Sequence, residues 1–567
     1  MTEKTFNLTT QPWIKVINAD TNREQKVSLI ELFENAQDYR QLAGEMRIQD
    51  FAILRLLLAI LTTVYSRFDA NNQPYEDLKV DPISMQITSD IDEEEEEDFD
   101  ENLLATWQQL YSKGSFSEIV VKYLQQYEDR FDFFGSHPFY QVTRNEYNEL
   151  VPDNCNVKTG KGRVAIKQIN RQVSESNNSP AIFAPRAGQA KNIVELDELI
   201  RWIITYQNYA GVTDKTRIKA DEKFSSSPGW LYKLNPVFAK GETLFETLML
   251  NLILVNGKYA PQKPIWEYQN VQEYIAVRKK KILPNNISEL YTAWSRILHI
   301  EWDELEQPTI FSAGIPMFDS MNAKVEPMTI WKGDRESNIK PSTRGLKSLG
   351  NAMWRKFSNY VSVNGISDDI EPGVVCWLRN LKDEGIIASD KNITLASIDL
   401  LDDGNSSSQL PAAELYDDMS IEADVMFDTS GENCWPAIIE EMIKKNQVIG
   451  NVYWQFLKAI CELRGLSNQS FANKASEEFY YGLNEPFKTW LAKLSNEEDS
   501  DQAITSWKRW LKKYALGKAR SILDTSTPRD ITGRRIEKNG VKKLRNVVTA
   551  YNYFCFKVNQ DLEINEK

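Results

Sequence analysis

The sequence has few of the side chains from which hydrolytic and metal-dependent active sites are commonly built. Its 567 residues include two histidines, His137 and His299, and neither belongs to an HExxH motif or to a serine or cysteine constellation. The five cysteines, at positions 155, 376, 434, 461 and 555, are widely spaced and form no CxxC pair. This scarcity argues against a histidine-based triad, a thiolate metal site and a disulfide framework. We therefore expect a protein that is not an enzyme and that holds no metal or other cofactor.

The chain also lacks an excess of positive charge. It has 67 Lys and Arg against 81 Asp and Glu, which gives a formal net charge of -14. A free-standing protein that binds duplex DNA normally carries a basic surface, so the net charge argues against that class while it allows local basic patches. Because carboxylates are plentiful, a metal nuclease that uses carboxylates alone stays open as an alternative.

No apolar run reaches the roughly 20 residues that a membrane-spanning helix needs. The most apolar stretch, residues 51–65, is shorter and contains Arg55, which predicts a buried helix. Residues 1–5 lack the apolar segment of a signal peptide. These features favour a cytoplasmic protein with no membrane partner.

The first three quarters of the chain contain both helix-like and strand-like sequence patterns. Fifteen Trp, 24 Phe and 23 Tyr are enough to fill a sizeable core. Residues 328–331 and 374–378 predict short strands between helical stretches. Residues 90–101 contain ten acids in twelve positions, which predicts a solvated loop insertion, with a DNA-mimicking role as the sharper alternative. Residues 1–432 are therefore predicted to form a mixed α/β domain.

From residue 433 onward the composition changes to amphipathic helices with few strand signals. The pattern predicts helices over 437–463, 475–481, 486–494, 503–523 and 541–558. Pro436 and Pro486 suit first-turn positions in such helices. Residues 433–567 are therefore predicted to form a C-terminal helical bundle, and the predicted fold class is α+β.

Two aromatic segments carry a resemblance to a known family. Residues 6–16 (FNLTTQPWIKV) place Trp13 after a proline in a short strand that would insert an aromatic side chain into a core. Residues 133–141 (FFGSHPFYQ) follow after two helical stretches. Together they resemble the start of the large subunit of the type I-E CRISPR surveillance complex, Cascade, which is the CasA family. The resemblance implies a large mixed α/β domain followed by a four-helix bundle.

The resemblance also implies a function. In this family the large subunit recognises the protospacer-adjacent motif in duplex DNA from the minor groove, starts strand opening for guide-RNA pairing and recruits a helicase-nuclease. The implied partners are other Cascade protein subunits, the CRISPR guide RNA, double-stranded target DNA and the helicase-nuclease effector. A purely structural scaffold subunit stays open as an alternative.

Two loops resemble devices that this family uses at the motif. Residues 208–213, which include Asn208 and Gly211, resemble its glycine-bearing loop, although a glycine that ends a helix fits the pattern as well. Lys332, at the end of a strand and beside Gly333, resembles its lysine finger, with an ordinary surface lysine as the alternative.

Two further loops resemble the family's DNA wedge and its contact with guide RNA. In the turn-rich segment 400–410, Gln409 is the candidate for a wedge beneath the first base pairs and Asn405 is the second choice; an ordinary loop is the alternative. Phe183 and Arg186 resemble the loop that engages the 5′ end of the guide RNA, where an aromatic ring and a guanidinium can stack on unpaired bases. A buried anchor is the alternative for Phe183.

The C-terminal region contains a local excess of positive charge. Residues 505–545 carry thirteen Lys or Arg against three Asp or Glu. The residues expected to hold the displaced DNA strand are Arg534, Arg535, Lys542 and Lys543, in a segment predicted to be a turn-rich loop. Solvated helix faces are the alternative explanation of this charge.

Overall fold

A computed structural model describes residues 4–89, 91, 94–176, 184–211, 216–255, 257, 259–304, 307–333, 338–363, 371–405, 410–431, 434–466, 468–538 and 541–563. For residues 189, 536–538 and 541–543 it describes the backbone alone. The chain divides into two compact units. The first comprises Met1–Leu349, Asp369–Leu381 and Leu395–Asp417, and the second comprises Gly350–Asp368, Lys382–Thr394 and Asp418–Lys567. The predicted domain bounds at 432 and 433 stay a prediction.

The helices in the described part of the chain are α1 (Leu29–Glu34), α2 (Arg47–Tyr65), α3 (Glu96–Lys113), α4 (Ile119–Gln126), α5 (Arg144–Leu150), α6 (Ile166–Ile169), α7 (Leu196–Tyr209), α8 (Leu244–Asn251), α9 (Val271–Lys279), α10 (Ile287–Thr292), α11 (Gly373–Asp383), α12 (Ala423–Met426), α13 (Trp435–Arg464), α14 (Ser470–Leu491), α15 (Ser500–Asp524), α16 (Pro528–Thr532) and α17 (Val547–Leu562).

The strands are β1 (Ile14–Asn18), β2 (Glu24–Val27), β3 (Tyr39–Leu42), β4 (Arg163–Val164), β5 (Val237–Lys240), β6 (Arg296–Trp302), β7 (Pro308–Gly314), β8 (Trp331–Lys332), β9 (Lys340–Pro341), β10 (Asn392–Asp402), β11 (Pro411–Glu422), β12 (Arg534–Lys538) and β13 (Val541–Arg545). They form small sheets with the orders β2-β1-β3, β4-β7-β6, β11-β10-β5, β8-β9 and β12-β13. Helices and strands are thus both present, which confirms the α+β class.

The N-terminal segment inserts an aromatic side chain into the core of the first unit, as the sequence predicts. Trp13 is fully buried, and its Nε1 donates a hydrogen bond to the Leu8 carbonyl oxygen at 3.0 Å. The strand that follows, β1, pairs antiparallel with β2 and β3. Since side chains alternate along a strand, Ile14 and Val16 share one face, and both are fully buried.

Helix α2 confirms the prediction of a buried helix. Within the described ranges it is the one helix long and apolar enough to suit a membrane span, and 94% of its most apolar window is buried inside the protein. Arg55, in its middle, forms a two-pronged ion pair with Glu326 at 3.0 and 2.8 Å. The guanidinium also lies 3.9 Å from the centre of the Tyr291 ring. Because the buried charge is paired and hydrogen-bonded, it is compatible with a core position.

Two predictions about local structure are wrong. The acidic run is not a loop throughout, since residues 96–101 form the first turns of α3, where Phe99 is fully buried. Acidic side chains are favourable there because they lie beside the positive end of the helix dipole. The run Val374 to Leu378 is not a strand but part of α11, whose buried residues Val374, Val375, Leu378 and Leu381 follow helical spacing.

The second unit contains the long helices α13, α14, α15 and α17, packed through aromatic side chains. Tyr453 of α13 stacks on Phe479 of α14 with ring centres 4.9 Å apart. The ring centres of Phe456 in α13 and Phe554 in α17 lie 5.3 Å apart. Pro436 occupies the first turn of α13, as predicted. These contacts confirm a helical C-terminal region.

Two predicted helix boundaries in this unit are also wrong. Pro486 lies inside α14, so the helices predicted over 475–481 and 486–494 are one helix. Burial of neighbouring side chains such as Leu483 and Phe487 outweighs the local cost of the proline. Residues 541–545 form strand β13, and α17 begins after it.

Candidate nucleic-acid interface

Lys332 lies on a short hairpin at the surface of the first unit. Strand β8 pairs antiparallel with β9, and Lys332 is exposed while its neighbour Trp331 is buried in a cluster with Ala323 and Ile339. Gly333 follows with φ of +150°, and an added Cβ there would overlap the Asn338 carbonyl oxygen. The glycine is therefore required for the chain to leave the strand at this lysine.

The residue opposite Lys332 is a second exposed lysine, Lys340. Side chains directly opposite on an antiparallel pair lie about 5 Å apart at Cβ, and like charges at such positions repel. Neither lysine forms an ion pair with any residue in the described part of the chain. Sequence reasoning missed Lys340 because only the register of the hairpin brings it beside Lys332. The pair offers two positive charges to an anionic ligand.

A buried ion pair fixes the segment that leads into this hairpin. Glu326, which binds Arg55 of α2, also accepts a hydrogen bond from the Met328 backbone N–H at 3.1 Å. The Met328 carbonyl oxygen in turn accepts from the Val237 N–H of β5 at 2.8 Å. The position of β8 therefore depends on the core helix and on the sheet of the first unit.

The predicted glycine loop begins at the end of α7. Asn208 is buried, and its Nδ2 donates to the Ile204 carbonyl oxygen one turn earlier at 3.0 Å. Gly211 is also buried, and its carbonyl oxygen accepts from Nη2 of Arg296 at 2.6 Å. Arg296 is fully buried and donates to the Ser227 carbonyl oxygen as well. The structure thus places Asn208 and Gly211 in the packed base of the loop, and their contact with DNA stays a prediction.

The segment expected to form a wedge is the tip of a hairpin made by β10 and β11. These strands are neighbours in one sheet, and the Asp403 N–H donates to the Leu410 carbonyl oxygen at 2.9 Å. Asn405 is exposed at this tip. Gln409 lies outside the described residues. The position of Asn405 agrees with the predicted hairpin, and its role stays a prediction.

Asp402 anchors the base of the tip. It accepts hydrogen bonds from the Tyr232 hydroxyl and from the Gly404 N–H, and it pairs with Lys233 Nζ at 3.0 Å. Partial burial alone would raise the pKa of Asp402, but the bonds from Tyr232 and Lys233 hold it below its usual value. The carboxylate therefore stays charged at neutral pH and keeps the hairpin attached to Tyr232 and Lys233.

One short stretch, the connecting segment Gly229–Leu234, contacts all three predicted motif loops, which are the glycine loop, the lysine hairpin and the wedge hairpin. Its Gly229 N–H donates to the Ala210 carbonyl oxygen at 2.8 Å, and its Leu231 N–H donates to that of Asn208 at 2.9 Å, beside the glycine loop. Trp230 packs against the cluster that contains Trp331. Tyr232 and Lys233 of the segment contact Asp402. The structure thus brings together residues that lie up to about 200 positions apart, and no pattern in the sequence indicated this connection.

Arg186, predicted to contact guide RNA, is held by acidic side chains in the first unit. Its Nε donates to Glu175 at 2.7 Å, its Nη2 donates to Glu198 at 2.6 Å and its Nη1 donates to the Ile193 carbonyl oxygen at 2.7 Å. Burial alone would lower the pKa of Arg186, but the two carboxylates raise it above its usual value. Because these hydrogen bonds use the N–H groups at the edges of the guanidinium, a base could contact Arg186 only by stacking on the flat face of this group. Phe183 lies outside the described residues.

The basic segment of the second unit forms a hairpin rather than a turn-rich loop. Strands β12 and β13 pair antiparallel, which places Arg534 opposite Arg545 and Arg535 opposite Leu544. Arg534 and Arg535 are exposed. Lys542 and Lys543 occupy register positions opposite Glu537 and Ile536. The Asn539-Gly540 pair between the strands is a strong hairpin signal that the sequence analysis did not use.

Within the described ranges, no group of three or more His, Cys, Asp or Glu side chains is placed to hold a metal ion.

Comparison with known proteins identifies a family for most of the chain. The family model described as CRISPR-associated protein Cse1 matches residues 7–517. Cse1 of Thermobifida fusca matches with a TM-score of 0.74 at 19% identity, over 98% of each chain. Cse1 of Acidimicrobium ferrooxidans matches with a TM-score of 0.69 at 20% identity, over 99% of this chain and 98% of that one.

A chain of a CRISPR RNA-guided surveillance complex matches with a TM-score of 0.65 at 14% identity, over 98% of this chain and 99% of that one. At these identities the structural matches establish a shared fold. No curated protein sequence matches this chain at a significant level.

Proposed function

This chain belongs to the Cse1 family of CRISPR-associated proteins, the large subunit of type I-E Cascade, and we propose that it recognises a protospacer-adjacent motif in duplex DNA and starts strand opening there. The observation that carries the proposal is that the connecting segment Gly229–Leu234 contacts the base of the predicted glycine loop, the cluster beneath the lysine hairpin, and Asp402 at the base of the predicted wedge. Two exposed lysines, Lys332 and Lys340, lie on the hairpin and form no ion pair with any residue that the structure describes, and Asn405 is exposed beside the predicted wedge.

The lysine hairpin supplies the contact with intact duplex. A narrow minor groove has a strong negative potential that attracts a projecting lysine. Lys332 enters the groove, and Lys340 remains at its edge beside the phosphates. Because the minor groove presents nearly the same acceptors for A·T and T·A, such a contact tolerates several motifs.

The tip of the β10–β11 hairpin supplies the wedge. Gln409 enters beneath the first base pairs, with Asn405 as the second candidate, and the cost of unstacking is offset by the contacts that the opened DNA makes. The contacts of Asp402 with Tyr232 and Lys233 hold the base of the hairpin in place while the tip separates the base pairs. If this role is correct, replacing Gln409 slows opening of a paired target and has no effect on a target that already contains a bubble.

The chain works as a subunit of a larger assembly. The match to a chain of an RNA-guided surveillance complex supports partnership with other Cascade proteins and with a guide RNA, which Phe183 and Arg186 help to hold. Once the DNA is open, the subunit recruits the helicase-nuclease effector. The chain itself is non-catalytic. Incubation of the purified chain with plasmid and Mg²⁺ or Mn²⁺ tests this point, because cleavage without the effector would support the carboxylate nuclease instead.

The direct test of motif recognition compares complexes assembled with and without this chain. Each complex is titrated with a duplex that carries the motif and with the same duplex after the motif is scrambled. We expect the complete complex to discriminate between the duplexes and the complex without this chain to bind both alike. Equal discrimination by both complexes would support the scaffold alternative.

A further inference from the structure

The first unit carries a basic loop, residues 158–167, that no predicted site includes. It contains four cations and no acid, and the cations are Lys158, Lys161, Arg163 and Lys167. All four side chains are exposed, and none forms an ion pair with a residue that the structure describes. Arg163 lies 5.5 Å from the ring centre of Phe311, a contact that brings no negative charge to it. A surface of this kind attracts an anionic ligand.

The backbone of the basic loop is packed against the body of the first unit. Arg163, in β4, pairs with Phe311 in β7. The Gly162 carbonyl oxygen accepts a hydrogen bond from the Ser312 N–H at 2.9 Å. Gly162 has φ of +83°, and a Cβ added there would lie 3.0 Å from the Tyr147 hydroxyl oxygen. Because these contacts hold the backbone, little binding free energy is lost in ordering the loop.

An open cleft of about 520 Å³ lies beside the basic loop. Its walls come from Arg163, the start of α6, the start of β7 and Asn192. The side-chain oxygen of Gln168 in α6 accepts a hydrogen bond from the Ala165 N–H at 2.8 Å. That of Asn192 accepts from the Lys167 N–H at 3.4 Å. The two amide NH₂ groups donate to no residue in the described ranges, so they can donate to a ligand.

The wall of the cleft adjoins Arg186, which is predicted to contact guide RNA. Arg186 donates from Nη1 to the Ile193 carbonyl oxygen at 2.7 Å, and Ile193 directly follows Asn192 in the chain. Because Glu175 and Glu198 pair with Arg186, this side chain adds little net positive charge for phosphates. The basic loop supplies the charge that an RNA backbone needs beside Arg186.

We propose that the basic loop and the cleft bind the backbone of a single-stranded RNA. The four cations contact its phosphates, and the amide groups of Gln168 and Asn192 donate to 2′-hydroxyl oxygens, which DNA lacks. The inference rests on the proposed function, because the guide RNA named there is the strand that fits this surface. The guide RNA then has two contacts with the first unit, stacking at Arg186 and phosphate pairing at the basic loop.

The test uses the purified full chain and two single strands that differ only in the sugar. One is a uridine oligonucleotide of about twelve residues and the other is the deoxyuridine oligonucleotide of the same length, since recognition of the backbone needs no particular sequence. In fluorescence anisotropy, the RNA should bind about tenfold more tightly than the DNA. Absence of RNA binding, or equal affinity for the two strands, would overturn the proposal.

Substitution of two loop lysines locates the binding. The variant K161Q/K167Q should lower the affinity for the RNA about tenfold, and the slope of log affinity against log salt should become shallower by about one. The control K79Q/K122Q removes two other exposed lysines of the first unit and should change neither quantity. Equal losses in the two variants would assign the binding to overall charge and overturn the proposal.

The substitution Gln168→Glu tests the contact with the sugar. A glutamate keeps an oxygen that accepts from the Ala165 N–H, but it has no N–H group to donate. Its negative charge weakens the binding of both strands, so the readout is the ratio of the RNA and DNA affinities. We expect this ratio to fall about threefold. A ratio equal to that of the wild type would contradict the 2′-hydroxyl contact and with it the assignment to RNA.

Two combinations of results separate this inference from the proposed function. Motif discrimination by the assembled complex without RNA binding by the chain would overturn the inference alone, and RNA binding without motif discrimination would overturn the proposed function alone. The Lys332→Ala chain should bind the RNA like the wild type, and complexes that contain K161Q/K167Q should still discriminate the motif duplex. Loss of that discrimination in K161Q/K167Q would assign the basic loop to duplex DNA and overturn the inference.

Discussion

At the scale of single residues, two lysines that face each other, with no acidic partner among the residues that the structure describes, are the clearest sign of an anionic ligand. Lys332 and Lys340 repel each other across the β8–β9 ladder in the free chain. This repulsion lowers the stability of the free chain, but a DNA phosphate bound near both lysines would relieve it. Removal of either lysine should therefore raise the stability of the free chain slightly and weaken its binding to DNA.

The substitution Lys340→Ala tests this pairing. The variant chain should unfold at the same temperature as the wild type or slightly higher, because a repulsion is removed. The assembled complex should bind motif duplex more weakly, and the slope of log affinity against log salt should fall by about one. A lower unfolding temperature with an unchanged salt slope would mean that Lys340 serves only the fold. Lys122→Ala, at an exposed site on α4, is the control.

Asp50 gives the chain a predictable dependence of stability on pH. Its largely buried carboxyl faces the Gly44 N–H, Arg47 and Glu414, and desolvation raises its pKa to about 7, well above the value of an unfolded chain. The folded state therefore holds the proton more tightly, so this group lowers the free energy of unfolding as the pH rises from about 4 to about 7, by at most about 4 kcal/mol. Asp50→Asn, which cannot ionise, should gain stability relative to the wild type over that range. A difference in unfolding temperature that is constant between pH 5 and pH 8 would contradict the raised pKa.

At the scale of secondary-structure elements, a buried ion pair connects the core to the candidate interface. Arg55 of α2 and Glu326 are both fully buried, and Glu326 holds the backbone that leads into β8. Replacing one member leaves an uncompensated charge in the core, which costs about 3–5 kcal/mol. Replacing both with apolar residues removes that penalty.

Denaturation of Arg55→Met, Glu326→Met and the double variant tests this connection. Each single variant should be strongly destabilised, and the double variant should be more stable than either. Additive losses would show that the two side chains are not coupled. Since β8 depends on Glu326, the double variant should also bind motif duplex more weakly even though it folds.

Comparison of the predicted and observed helices and strands shows which parts of the fold follow from local sequence patterns. The burial of Trp13, the helix over residues 51–65 and most of the helices after residue 434 follow from local periodicity, and they are confirmed. Val374 to Leu378 misled the strand prediction because β-branched residues at helical spacing can be buried on one helix face. Pro486 misled the boundary prediction because tertiary packing compensates for it.

The candidate site could be predicted only in part. The family resemblance, together with local strand and turn signals, indicated Lys332 and the segment 400–410, and the structure places Lys332 on a hairpin and Asn405 at the end of β10. The partner of Lys332 depends on strand register, and the connecting segment Gly229–Leu234 depends on contacts between distant parts of the chain. The acidic partners of Arg186 likewise come from two separate segments. Such long-range contacts have no signature in a single sequence.

At the scale of the whole molecule, an acidic chain concentrates positive charge where nucleic acid is expected. The net charge is -14, yet residues 505–545 carry ten more basic than acidic residues, and the β12–β13 hairpin belongs to this region. If the negative net charge were spread evenly over the surface, the whole surface would repel DNA. In the proposed function, a local excess of positive charge would limit nucleic-acid binding to particular surfaces and leave specificity to the predicted motif loops and to guide pairing.

Neutralisation of Arg534, Arg535, Lys542 and Lys543 together tests the role of the basic hairpin. If it holds the displaced strand, the opened complex should dissociate faster and its lifetime should depend less on salt. Initial motif recognition should be retained. An unchanged lifetime across a salt titration would show that these residues only keep the second unit soluble.

The central claim is that the loops around the connecting segment recognise the motif in intact duplex. The most direct measurement is the affinity of complexes that contain wild-type, Lys332→Ala or Lys122→Ala chain for a motif-bearing duplex and for the same target offered as a single strand. The account predicts that Lys332→Ala weakens duplex binding about tenfold, leaves single-strand binding unchanged and differs from the Lys122→Ala control. Equal losses on the two targets, or a Lys332→Ala complex that matches the control, would contradict it.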